Sequence, residues 1–72
     1  MNTKIREHFG KRLKELREAK NLTQEDLADI VKVHQTYVGK IESGKCNPSL
    51  LLIFKFSRAL GVSLHEFFEF DK

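Results

Sequence analysis

Cysteine is scarce in this chain, which argues against a disulfide-stabilised protein and a cysteine-based metal site. Cys46 is the only cysteine among the 72 residues, so no disulfide can form within the chain and a reducing compartment is expected. The three histidines, His8, His34 and His65, do not show the spacing of metal ligands. We therefore expect no zinc site and no other cofactor.

Long apolar runs and catalytic patterns are also missing. No run approaches the roughly 20 apolar residues that a transmembrane helix needs, and the first residues do not resemble a signal peptide. The sequence shows no nucleophile beside a base, no paired carboxylates in an apolar setting and no glycine-rich phosphate loop. We therefore expect a cytoplasmic protein that is not an enzyme, and no small-molecule ligand is evident from the sequence.

The composition that remains is that of a small, mildly basic globular domain. Hydrophobic residues make up 40% of the chain and charged residues 32%, which favours a folded domain over a disordered one. Residues 1–72 are long enough for a single domain. The formal net charge of +3 is compatible with a polyanionic partner.

Capping residues and apolar periodicity divide the chain into five short helices. Phe9, Leu13 and Leu16 recur at the spacing of an amphipathic first helix. That helix should end near Lys20, with Asn21 in the left-handed conformation that asparagine tolerates. No segment alternates as a β-strand does, so the sequence predicts an all-α domain.

The next two helices have clear starts and stops. Thr23, with Asp26 three residues on, caps a second helix that runs from Gln24 to about Val31. The third helix should begin near His34 and end at residues 43–44, where a glycine supplies a left-handed cap.

The last two helices follow the only proline. A fourth helix begins after Pro48, with Ser49 as its cap, and closes at Gly61. Ser63 and Glu66 then form a capping box for a short fifth helix. The second and third helices are separated by only two or three residues, which forces them to cross steeply in a helix-turn-helix arrangement.

Several motifs in a fixed order carry a family resemblance. They are T-Q-E-D-L-A from Thr23, V-x-x-x-Y-V-x-x-I-E-x-G from Val33, P-S-L at 48–50 and A-L-G-V-S-L at 59–64. From about Phe9 to Phe68 the chain resembles the Cro/repressor-type, or XRE-like, helix-turn-helix family. The resemblance implies a compact five-helix lambda-repressor-like fold and a regulator that binds double-stranded DNA. The Q-T-Y-V stretch is similar to restriction-modification controller proteins, with phage and mobile-element repressors as alternatives.

Polar side chains on the third helix are candidates for reading bases. Gln35 can pair with adenine, Thr36 can donate, accept or contact a thymine methyl, and Lys40 suits guanine. They lie toward the start of the helix, where this motif reaches bases, while Val38 faces the core. Tyr37 is a fourth candidate, with a place over the edge of the core as its alternative.

Other residues are expected to contact the DNA backbone. The resemblance implies that Gln24, in the first turn of the second helix, holds a phosphate. His34 stands where the family has a Ser or Thr cap, and its imidazole can reach a phosphate. Ser43, Lys45 and Asn47, in the loop after the third helix, are expected to contact the backbone on the far side.

Two further expectations follow from the resemblance. Arg17 and Glu42 match family positions that form a buried ion pair between the first and third helices. Lys32 stands where the turn usually has glycine, so we expect strain at that residue or an altered turn.

The fourth helix has more apolar surface than a small core needs. Its inward face is expected to hold Leu50, Ile53, Phe56 and Leu60. Leu51 and Phe54 fall on a neighbouring stripe, and aromatic residues follow in the fifth helix and beyond it. We therefore predict a homodimer through about residues 50–70, with Leu51, Phe54, Phe67 and Phe70 at the interface. Such a dimer would read a pseudo-palindromic operator.

A protein-binding role is the competing function. An antitoxin or adaptor module would use its helix-turn-helix to bind a protein instead of DNA. Binding to a DNA duplex that weakens as salt rises distinguishes the two, because a protein-only module lacks it.

Overall fold

The described part of the chain consists of five helices. The computed structural model describes residues 4–69, with α1 (Lys4–Ala19), α2 (Gln24–Val31), α3 (Gln35–Glu42), α4 (Leu50–Leu60) and α5 (Leu64–Phe67). No strand occurs within these residues, so the predicted all-α class is confirmed. None of the described helices is long and apolar enough to cross a membrane.

Side-chain caps set where α2 and α5 begin, as predicted. Thr23 Oγ1 accepts from the Asp26 backbone N–H at 3.0 Å, and Asp26 Oδ2 accepts from the Thr23 N–H at 2.9 Å. Ser63 and Glu66 form the same reciprocal pair at 3.0 and 2.9 Å. Hydrogen bonding from the Thr23 backbone, and next from its side chain, lowers the pKa of Asp26. The carboxylate form of Asp26 is thus the one that completes the cap.

The turn between α2 and α3 keeps its geometry without a glycine. Lys32 takes the left-handed conformation with φ 65°, and its N–H donates to the Ala28 carbonyl. A residue with a Cβ costs about 1 kcal/mol or more in this conformation. The predicted strain therefore lies at Lys32. His34 caps α3 only loosely, because its Nδ1 accepts from the Thr36 N–H at 3.4 Å.

The helices enclose one apolar core. Its buried members are Phe9, Leu13, Leu27, Ala28, Val31, Val38, Ile41, Leu52, Phe56, Leu60 and Phe67. Gly10 lets α1 approach α3 closely, because a Cβ there would collide with the backbone carbonyl oxygens of Ile41 and Glu42. The second helix of the predicted helix-turn-helix is thus packed directly against α1.

The prediction that Leu50 lies on the buried face of α4 is wrong. That side chain is 78% exposed, and Leu52 occupies the core with 5% exposure. The buried stripe is Leu52, Phe56 and Leu60, spaced four residues apart, and Leu50 lies at the exposed first turn. Leu50 therefore joins the surface of α4.

Phe67 is also placed differently from the prediction. Its side chain is fully buried, and its ring stacks on Phe9 with 4.8 Å between centroids and 8° between planes. The expectation that Phe67 faces a second copy of the chain is therefore wrong. Phe68 stays partly exposed beside it. Phe70, another predicted interface residue, lies outside the described residues.

A buried ion pair joins α1 to the end of α3. Arg17 Nε donates to Glu42 Oε2 at 2.7 Å, and Arg17 Nη2 donates to Glu42 Oε1 at 3.1 Å. The Arg17 and Glu42 side chains are 8% and 4% exposed. Hydrogen bonding to Glu42 raises the pKa of Arg17, although burial acts in the opposite direction. A third contact, from Arg17 Nη1 to the Leu22 carbonyl at 2.7 Å, holds the α1–α2 connection just before the Thr23 cap.

We predict that Arg17→Met lowers the free energy of unfolding by about 3–5 kcal/mol, because it leaves the Glu42 carboxylate buried without its partner. Chemical denaturation measures the change. The control is Arg17→Met combined with Glu42→Leu, which removes both charges and should recover most of the loss. A single variant as stable as the parent would contradict the prediction.

Candidate nucleic-acid interface

A polar groove of about 370 Å³ runs along the outer face of α3. Its lining residues are Gln24, Gln35, Thr36, Gly39, Lys40, Ser43 and Lys45. All of them except Gly39 were predicted from the sequence to contact DNA. The fold therefore brings together residues from the start of α2, the length of α3 and the loop that follows.

The helical repeat divides α3 into two faces. Val38 and Ile41 are buried, while Gln35, Thr36 and Lys40 are exposed. Within the described residues, the side chains of Gln35 and Lys40 make no hydrogen bond or ion pair. Their donors and acceptors are therefore available to a ligand.

Gln24 reaches from α2 to α3. Its Nε2 donates to Glu42 Oε1 at 3.0 Å, and its side chain is half-buried. A Cβ built on Gly39 would lie 3.5 Å from Gln24 Oε1, so the amide lies alongside that glycine. Reasoning from the sequence missed this contact, because no local pattern links residues that are 18 positions apart.

The loop after α3 folds back onto the helix. Ser43 Oγ and the Lys45 backbone N–H both donate to the Lys40 carbonyl, at 3.1 and 2.9 Å. These bonds hold Lys45 beside the groove at the same end as Lys40. Two ammonium groups at one end of a polar groove favour an anionic ligand.

Three of the predicted contacts lie outside the groove. Tyr37 is half-buried against the core and lines a separate hollow of about 180 Å³. Asn47 lines a mostly apolar hollow of about 240 Å³ together with Phe9. His34 is exposed at the start of α3, where it caps the helix. No cluster of His, Cys, Asp or Glu in residues 4–69 is arranged to hold a metal ion.

Comparison with known proteins assigns the architecture. The profile described as "Helix-turn-helix" matches residues 13–67. The chain belongs to the helix-turn-helix family. In this helix-turn-helix protein, α2 and α3 form the motif, and the polar groove lies on its second helix. Relatives of 41% and 42% identity from Archaeoglobus fulgidus and Methanocaldococcus jannaschii are named HTH-type transcriptional regulators, and the chain is a DNA-binding regulator.

Control proteins are among its similar relatives. C.MunI of a Mycoplasma species is 43% identical over 65 residues, covering 89% of this chain and 88% of that protein. C.BamHI of Bacillus amyloliquefaciens is 41% identical over 71 residues, covering 97% of this chain and 88% of that protein. The crystal structure of the restriction-modification controller C.AhdI from Aeromonas hydrophila matches with a TM-score of 0.83 and 41% identity. That match covers 92% of this chain and 98% of C.AhdI.

We predict that Gly39→Ala raises the free energy of unfolding by about 1 kcal/mol, because alanine favours a helix interior over glycine. The added methyl has room, since its nearest neighbours are the Gln24 amide atoms at 3.5–3.9 Å. Gly10→Ala is the matched control and should be destabilising, because its methyl meets the α3 backbone. Chemical denaturation compares the variants. A Gly39→Ala variant less stable than the parent would contradict the prediction.

Proposed function

We propose that this helix-turn-helix protein is a sequence-specific transcriptional regulator that binds double-stranded DNA as a two-fold homodimer. The polar groove along α3 is the observation that carries the proposal. A helix fits the major groove, where the base edges present a full code of donors and acceptors. The exposed face of α3 offers donors and acceptors, those of Gln35 and Lys40, that the described residues leave unused.

Three residues are proposed to read bases. Gln35 suits adenine, Lys40 suits guanine, and Thr36 lies between them in the groove with a hydroxyl and a methyl. Tyr37 is not included, because it packs on the core and lies outside the groove.

A second set is proposed to contact phosphates around the base-reading residues. Gln24 lies at the first turn of α2, and Ser43 and Lys45 lie after the end of α3. His34 lies at the start of α3 with its ring exposed. Contacts of this kind fix the register of the protein on the duplex and supply affinity that falls as salt rises. Asn47 is not included, because it faces a different hollow.

The outer stripe of α4, formed by Leu50, Leu51 and Phe54, supports the proposed dimer. These side chains are 78%, 62% and 45% exposed, which leaves an apolar strip on one face of the helix. Exposed apolar patches on small proteins often mark interfaces. Function favours a dimer as well, because one short helix reads only a few base pairs. Two copies about a two-fold axis read half-sites about one helical turn apart.

The likeness to control proteins supports a further part of the proposal, that this regulator serves a restriction-modification system. Footprinting on the DNA that flanks its gene tests this. Protection of a pseudo-palindrome beside its own gene and a neighbouring nuclease gene would support it. Protection confined to prophage or mobile-element genes would count against it.

Gln35→Ala should cost about 1–3 kcal/mol of binding free energy and relax the preference at one base pair of each half-site. The preference is measured by selection from a random duplex pool with the parent and the variant. Lys45→Ala is the control, because loss of a phosphate contact should weaken binding to all sequences alike and reduce the salt dependence. An unchanged preference in Gln35→Ala would show that this residue does not read a base.

Leu51→Glu or Phe54→Glu should convert the dimer into a monomer, because each places a charge in the apolar interface. Sedimentation equilibrium measures the assembly. Ile30→Glu is the matched control, since Ile30 is an apolar residue of α2 with 51% exposure that lies outside the stripe. A parent protein that remains monomeric at micromolar concentration and still binds its operator tightly would contradict the proposed dimer.

A further inference from the structure

The Glu42 carboxylate serves two neighbours at once. Its Oε2 accepts from Arg17 Nε at 2.7 Å, while its Oε1 accepts from Arg17 Nη2 at 3.1 Å and from Gln24 Nε2 at 3.0 Å. Arg17 is buried beside the core, and Gln24 lines the polar groove. One carboxylate therefore connects the buried ion pair with the proposed DNA surface.

The chemistry of this contact fixes which way the Gln24 amide points. An ionised carboxylate only accepts hydrogen bonds, so the NH₂ group of the amide must face Glu42. The amide has two N–H groups, and Glu42 takes one of them. No acceptor among the described residues meets the second N–H, which remains available at the groove.

We propose that Glu42, held by Arg17, is a positioning residue for DNA binding that orients the Gln24 amide toward a phosphate oxygen. The inference rests on the proposed function, in which Gln24 contacts the DNA backbone. A long glutamine side chain loses rotamer freedom when it is held in one geometry. Here the Gln24 side chain is already ordered in the folded protein, so DNA binding does not pay the entropy cost of ordering it. The ion pair therefore strengthens DNA binding without contacting DNA.

A double-mutant cycle tests the proposal. One arm is Gln24→Ala, and the other is the combined variant Arg17→Met/Glu42→Leu, which removes the anchor and leaves the net charge unchanged. The probe is the duplex that the parent selects from a random pool. Gln24→Ala should weaken binding by about tenfold in the parent, as expected for one hydrogen bond to a charged group. In the combined variant the same change should weaken binding by less than about twofold, because the amide is no longer held.

Two controls separate positioning from general damage. Lys45→Ala, which removes a proposed phosphate contact outside the network, should weaken binding by the same factor in both backgrounds. The salt dependence of binding should be unchanged in Gln24→Ala and in the combined variant, because neither alters the number of cations at the groove. Equal effects of Gln24→Ala in the two backgrounds would overturn the inference. A parent that binds no duplex would instead overturn the proposed function.

A measurement on the unmutated protein tests whether the Gln24 amide is held in place, even if the combined variant does not fold. The order parameter of the Gln24 side-chain amide, measured by NMR without DNA, should approach that of rigid backbone, about 0.85. A value below about 0.6 would show a mobile amide and overturn the inference. The exposed Gln35 amide is the internal reference and should be mobile in the same spectrum, since it makes no hydrogen bond with the described residues.

Discussion

The contact between Arg17 and Glu42 is the interaction on which the orientation of α3 depends. An isolated helix of eight residues is marginal in water, so α3 needs its neighbours to form and to point in one direction. Among residues 4–69, the side chain that caps its start is that of His34, with a long hydrogen bond of 3.4 Å. Its last residue, Glu42, is held by two hydrogen bonds from α1. The better hydrogen-bonded end of α3 is therefore its C-terminal end.

Close backbone packing completes this anchoring. Gly10 allows α1 to lie against the carbonyl groups of Ile41 and Glu42, at the same end of α3 as the ion pair. Since buried charges are costly unless they are paired and hydrogen-bonded, the pair tolerates little displacement of α1 from α3. The two features act together, because a shift of α1 away from α3 would open the backbone contact and break the hydrogen bonds of the ion pair.

Much of the fold can be predicted from the sequence, because caps and turns are local. The capping box at Thr23 and the left-handed cap at Gly61 set helix ends through residues a few positions apart. The buried face of α4 was harder to predict, because the five consecutive apolar residues from Leu50 to Phe54 are compatible with more than one buried face of a helix. The burial of Phe67 against Phe9 depends on how α5 docks on α1, which no local pattern records.

The groove also combines features that the local sequence predicts with features that only the fold shows. Gln35 and Lys40 were identified because helix periodicity alone leaves them on the outer face. Their exposed side chains have no hydrogen bond or ion pair to lose within the described residues, so the residues there, and with them the proposed base preference, can change without disturbing the core. Gln24 is tied to Glu42, and through it to Arg17. In the proposed function, sequence preference is therefore carried by residues that the fold does not need, and placement on the duplex by a residue that the fold holds.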